Sequence, residues 1–348
     1  MGRLPFLDWT RGLAVLIMIE CHTFNSLVRL DLRQSSGYML SQFVGGMASV
    51  LFLFLAGVTF AFQMDRLDRR GATASERLSV LMRRSGYVLG VAFLFRISNT
   101  AFSWHTAPWR AIFKVDILNC MAVSMLLVAV AGLLPRARRA HWTALAAVAV
   151  ACASPLVSAV DWSGVPWLVR DYLAPNRKVF ALFPWSAYLI FGVAGGTVLR
   201  GLGPDRLERG LQWAVLLGFG LVLGGQYFSN LPYSLYDNSE FWLNSPGLVV
   251  IRVGLVLLTL AGAYLWTEHG AGGGWSGLQA FGKTSLLIYW VHVVLVYGQL
   301  ADPWKKVLTI PQAVAATLVV IAMMLLLSEA RLRWAARSRP RVMAAPAA

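Results

Sequence analysis

The chain has 348 residues, 57% of them hydrophobic and only 14% charged, with a mean hydropathy of +0.61. A soluble domain carries about 25% charged residues, so this composition excludes a soluble globular protein and specifies an integral membrane one. The net charge of +15 would suggest nucleic acid on a soluble protein, but here the Lys and Arg gather in short segments between apolar runs. Membrane topology and anionic lipid account for them there, and no nucleic-acid partner is expected.

A hydropathy window of about 19 residues predicts ten spans. They lie near 10–30, 43–63, 84–103, 117–134, 142–160, 180–199, 211–228, 248–266, 283–300 and 311–329. The expected architecture is all-α and integral to the membrane, with about ten transmembrane helices and residues 1–348 in one domain. The first segment carries Glu20 and His22 and lacks a small-x-small cleavage site. It therefore reads as a span rather than a signal peptide.

The connections alternate in charge. One side collects Arg3, the arginines of 64–84 (Arg66, Arg69, Arg70, Arg77, Arg83, Arg84), those of 135–141 (Arg136, Arg138, Arg139) and those of 200–210 (Arg200, Arg206, Arg209). The C-terminal arginines Arg331, Arg333, Arg337, Arg339 and Arg341 fall on the same side. The other side is poorer in them; its 229–247 loop has Asp237 and Glu240 but no Lys or Arg. The positive-inside rule then places both termini in the cytoplasm.

On the first span, Arg11 and His22 are eleven positions apart, about three turns, so they share a face about 16 Å apart along the axis. Asp8, Val15, Ile19 and Ser26 fall on the same stripe, whereas Glu20 points elsewhere. Ionisable groups inside a membrane face protein or a wet cavity and mark functional paths. His22 reads as a general base or transient acyl carrier, or else as a helix-to-helix hydrogen bond. Arg11 could equally be a headgroup anchor.

Arg96, Asn99 and Trp104 close the third span, and Lys114 and Asp116 open the fourth. Asp116 could pair with Lys114, Arg96 or His22, or belong to an edge ion pair that orients two helices. In FPWSAYLIFGVAGG, Pro184 suits a helix start. Trp185 and Tyr188 suit ligand stacking or the interfacial belt, and Gly192, Gly195 and Gly196 suit close helix packing. Arg252 stands in the eighth span with no partner visible in sequence; it either snorkels or holds an anionic substrate. On the ninth span, Ser285, Tyr289 and His292 share a face, as helix ties or as groups that complete a site with His22.

Cys21, Cys120 and Cys152 all lie in apolar runs and none forms a CxxC, which argues against a disulfide framework and a metal site. There is no Walker loop, dinucleotide GxGxxG or zinc spacing, so neither metal nor nucleotide hydrolysis is expected.

Five pieces occur in order: RLPFLDWTRGLAVLIMIECH, LFLFLAGVTFAF, FKVDILNCMAVSMLL, FPWSAYLIFGVAGG and FGKTSLLIYWVH. Together they resemble the heparan-α-glucosaminide N-acetyltransferase catalytic-domain family and its bacterial members, over nearly the whole chain. The R-x10-H spacing is also similar to that of membrane O-acyltransferases of surface polysaccharides. The resemblance implies an acetyl-CoA-dependent transmembrane acyltransferase in the bacterial inner membrane. It would pass an acetyl group from cytoplasmic acetyl-CoA to an amine or hydroxyl of an extracytoplasmic sugar. Its implied partners are acetyl-CoA, a sugar or glycoconjugate acceptor and the bilayer, with a homodimer left open. It implies His22, Asp8 and His292 as catalytic residues, Arg11, Arg83 and Arg84 as cations for the CoA phosphates, and Arg96, Asp116, Trp185 and Tyr289 around the acceptor. In the lysosomal members a histidine between the first two spans is associated with catalysis; this chain has none between Thr23 and Phe60, so that step does not carry over. The alternative from another class is a secondary transporter, but no pair of matching broken spans divides the chain into two halves.

Overall fold

The computed structural model describes residues 4–101, 108–233, 235–237, 239–270 and 275–338. Arg3, Trp104, Arg339 and Arg341 lie outside the described residues. Within them the chain forms eleven α-helices and no strand, apart from an isolated bridge between Val28 and Leu308. In chain order these are α1 (Pro5–Leu27), α2 (Ser36–Arg69), α3 (Ala74–Ala101), α4 (Ile117–Val128), α5 (Arg136–Ala159), α6 (Trp167–Leu173), α7 (Leu182–Gly201), α8 (Pro204–Ser229), α9 (Pro246–Leu265), α10 (Gly277–Tyr297) and α11 (Ile310–Arg337).

All ten predicted spans are helical, and α6 is an additional seven-residue helix in a connection. Eight helices among the described residues are long and apolar enough to cross a membrane. The protein is thus an all-α integral membrane protein. The remaining two predicted spans differ for physical reasons. Helix α1 has 23 residues but carries Asp8, Arg11, Glu20 and His22, which lower its hydropathy. The fourth segment is a helix of only 17 residues, 117–133, bounded by the Asp116 cap and Pro135, with its last turn 3-10.

The described residues fall into two compact units. The larger holds 4–6 and 46–270; the smaller holds 7–45 and 275–338. In the larger unit, glycines bring helices into backbone contact. Gly192 and Gly196 of α7 lie against Phe54 and Val58 of α2, and Gly57 of α2 lies against Leu189. Gly218 and Gly254 do the same for α8 and α9. Membrane helices lack a hydrophobic drive toward each other, so close backbone approach and dispersion hold them together. Pro184 opens the regular part of α7, since Phe183 is non-helical (φ −95°, ψ 123°).

Three predicted basic loops meet in this unit. Asp65 of α2 is buried and ion-paired to Arg69 (2.9 Å), Arg136 (3.3 Å) and Arg200 (3.7 Å). Asp68 pairs with Arg77 (2.8 Å) and Arg139 (2.9 Å), and Arg139 is only 1% exposed. These arginines come from 64–84, 135–141 and 200–210, so the three loops share one side, as the charge alternation requires.

In the smaller unit α1 and α10 pack through two glycines. A side chain at Gly12 would strike the Leu278 carbonyl, and one at Gly282 would strike the Asp8 carbonyl. Each carbonyl points one turn along its own helix, so Gly12 and Gly282 lie at the same level in two helices that run in the same sense. Helix α10 then breaks at Thr284 (φ −117°, ψ 16°), whose hydroxyl bonds to the Ala280 carbonyl (3.0 Å) and to Ser328 of α11 (2.7 Å). Such back-bonding by Thr bends helices. The same register continues past the break, where Ser26 donates to the Val296 carbonyl at 2.7 Å. Phe24, Val28, Tyr38 and Ala313 form an apolar cluster at that end.

Candidate active site

Past the break in α10, two histidines meet between α1 and α10. His22 Nδ1 lies 2.9 Å from His292 Nε2, with the rings 10° from parallel and their centroids 5.2 Å apart. His292 Nδ1 lies 2.7 Å from the Ile288 carbonyl, and the ring is fully buried. A carbonyl only accepts, so His292 Nδ1 carries the proton. In the neutral pair His292 Nε2 is then an acceptor, and His22 Nδ1 must donate to it. His22 Nε2 is left with its lone pair. Among the described residues nothing else bonds to His22. The tautomer is thus set by a chain of two hydrogen bonds starting at a backbone carbonyl, the kind of support that orients a catalytic imidazole.

Tyrosines frame the pair. The Tyr297 ring packs edge-on to His22 (5.5 Å) and that of Tyr289 to His292 (6.0 Å). Asn25 donates to the Tyr297 hydroxyl (3.4 Å) and accepts from Tyr38 (3.5 Å). Tyr297, Asn25 and Tyr38 were not singled out in sequence; the spacing of Tyr297, five residues past His292, was the available signal. Glu20, on the other face of α1, interacts with Ser41 of α2. Lower on α1, Asp8 is buried and sits 3.5 Å from Arg11, one turn away.

The larger unit holds the other predicted residues. Arg83 and Arg84 are exposed on α3, with Arg84 donating to Gln63 at 2.8 Å. The Arg96 guanidinium is engaged by the Ala111 carbonyl (3.0 Å from Nε). Asp116 caps α4 by accepting from the Leu118 and Asn119 amides at 3.0 and 3.1 Å. Its second oxygen has no partner. Burial pushes the Asp116 carboxyl up to about 6, against the opposing pull of the α4 amides, Arg96 and Lys114. Trp185 packs against Phe180 (4.8 Å) and Tyr188 (5.8 Å). Tyr188 is fully buried and does not belong to an interfacial belt. Two cavities also lie in this unit: one of about 740 Å³ beside α8 and α9, and an apolar one of about 610 Å³ bounded by α4, α5 and α7. Neither is lined by a predicted site residue. The described residues hold no group of three or more His, Cys, Asp or Glu that could hold a metal ion.

A multi-pass helical membrane protein with a part-buried, tautomer-fixed histidine pair has the means for proton or acyl transfer. The chain belongs to the family described as heparan-alpha-glucosaminide N-acetyltransferase, catalytic, which matches residues 3–225. That makes it a transmembrane acetyltransferase in general terms. The match includes α1 with His22 and ends within α8; α9 to α11, with Arg252 and His292, lie beyond it. No curated protein matches the chain.

Proposed function

We propose that the protein takes an acetyl group from cytoplasmic acetyl-CoA and passes it to an amine or hydroxyl of a sugar on the far side of a bacterial inner membrane. The observation that carries the reading is the His22–His292 hydrogen bond, together with the family match. His22 Nε2 is the reactive atom. Acting as a base, it takes the proton of the acceptor as the acceptor attacks the thioester carbonyl and CoA leaves as thiolate. Acting as a carrier, it attacks the thioester itself and expels CoA as thiolate; the acyl-imidazolium so formed passes its Nδ1 proton to His292 Nε2, and the acceptor then takes the acetyl group, its proton returning through His292 to the freed His22. The Ile288 carbonyl supports the charge that reaches His292. Asp8 holds Arg11 on the face it shares with His22, where Arg11 is a candidate cation for the CoA phosphates; Arg83 and Arg84 are the candidates for that role in the larger unit. Tyr289, Arg96, Asp116 and Trp185 are the candidates for acceptor contacts.

The test is CoA release by purified protein in detergent with acetyl-CoA and a panel of amino sugars. The His22→Ala variant should lose roughly 10²–10⁴-fold in turnover, the range for a positioned acid–base group. Undiminished turnover in a folded His22→Ala protein would remove His22 from the chemistry. Absence of both turnover and acetyl-CoA binding in the wild type would refute the donor assignment.

A further inference from the structure

Arg252 is the seventh residue of α9, so its Cα lies about 9 Å along the helix from Pro246. That end of α9 is opposite the basic loops. A guanidinium at this depth is costly in lipid unless paired or directed to a polar site. It does not reach back along α9: it lies over the Trp185 ring, 5.7 Å from its centroid, and beside the Tyr188 hydroxyl. Both residues are near the start of α7, in the same unit. Gly46 of α2 makes room for it, since a Cβ there would come within 3.2 Å of Nη2. No carboxylate among the described residues pairs with Arg252. The Tyr188 hydroxyl is fully buried yet has no hydrogen-bond partner of normal geometry. A donor-rich guanidinium and a buried hydroxyl beside it thus converge next to an indole face, with no carboxylate among the described residues to pair with them.

We propose that Arg252, Tyr188 and Trp185 form a recognition site for an anionic oxygen group, a carboxylate, sulfate or phosphate, borne by the acceptor. Guanidinium binds such groups through two parallel hydrogen bonds, and the Tyr188 hydroxyl adds a third donor. Trp185 fixes the guanidinium plane by cation–π contact. The proposal rests on the acetyltransferase reading and narrows its acceptors to acidic ones.

The experiment has two arms, both on the full chain in neutral detergent. In the first, CoA release is measured with glucosamine, glucosamine 6-phosphate and glucosamine 6-sulfate. The wild type should show at least tenfold lower KM for the two anionic sugars. Arg252→Gln should erase that preference while leaving KM and kcat for glucosamine within about twofold, and Arg252→Lys should retain part of it. A preference unchanged in Arg252→Gln overturns the proposal. In the second arm, thermal unfolding is followed with glucosamine 6-phosphate, or with phosphatidylglycerol against phosphatidylcholine, and needs no turnover. A stabilising shift by the sugar phosphate, lost in Arg252→Gln and reduced in Tyr188→Phe, supports the site even if no acceptor is acetylated. In that outcome the amino-sugar acceptor of the proposed reaction fails and the anion site stands. A shift from phosphatidylglycerol alone reassigns the site to a lipid headgroup and overturns the acceptor assignment. If Arg252→Gln does not fold, Tyr188→Phe decides: equal shifts in it and in wild type overturn the proposal.

Discussion

At the scale of single residues, the central fact is that one backbone carbonyl sets the protonation of two imidazoles. Ile288 fixes His292, and His292 fixes His22. In the proposed reaction His292 thus positions His22 and, in the carrier route, takes its proton, so the chemistry of its replacement matters. Glutamine can present a carbonyl oxygen to His22 Nδ1; alanine cannot. His292→Ala should lower kcat by roughly 10–10³-fold with little change in KM for acetyl-CoA, and His292→Gln should recover part of that loss. Equal kcat values for the two variants would show that His292 only fills space. Asp116 offers a second test. Its carboxyl is held at about 6, above the ordinary aspartate value of about 3.9. Between those values the folded protein binds more protons than the unfolded chain, so stability falls as pH rises from about 4 to about 6. Asn is as good a helix cap as Asp. Asp116→Asn should therefore keep α4 capped and flatten the pH dependence of the thermal midpoint across that window.

At the scale of elements, helices were legible because apolar runs announce them, but their joints were not. The periodicity of α1 placed Arg11 and His22 on one face, and the ninth predicted span placed Tyr289 and His292 on another. Nothing in either run says that α10 breaks at Thr284, because a Thr in a helix is ordinary until its hydroxyl finds Ala280 and Ser328. The glycines of LDWTRG and FGKTS carried a signal that only the fold makes readable: each faces a backbone carbonyl of the other helix. Gly282→Ala should force α1 and α10 apart, costing about 1–3 kcal/mol of stability, typical of overpacking. The control is Gly86→Ala on α3, where a Cβ meets nothing within 4 Å. Its thermal midpoint should hold or rise, because Ala favours helix.

At the scale of the whole molecule, sequence charge predicted which loops share a side, and the larger unit shows how they are held. The arginines were read as a topology signal and, for Arg83 and Arg84, as cations for a phosphate. Asp65 and Asp68 were overlooked because two acids within a basic stretch change its net charge little. Burial gives them their weight: Asp65 gathers arginines from α2, α5 and α7. Asp65→Asn would leave these guanidiniums facing one another. The expected loss is about 1–3 kcal/mol, below that of a fully buried pair, because Arg69 and Arg136 are 61% and 39% exposed. Arg69→Ala should be close to neutral. Thermal unfolding of the two variants in detergent separates a real clamp from a decorative one.

The break at Thr284 also works as a lever. His292 is eight residues beyond it, an arm of about 12 Å. A swing of only about 5° at the fulcrum carries the imidazole about 1 Å, a displacement on the order of a hundredfold in rate for a reacting group. The spacing of the two rings is therefore governed from a distance, by a hydroxyl pair between Thr284 and Ser328 that touches neither ring.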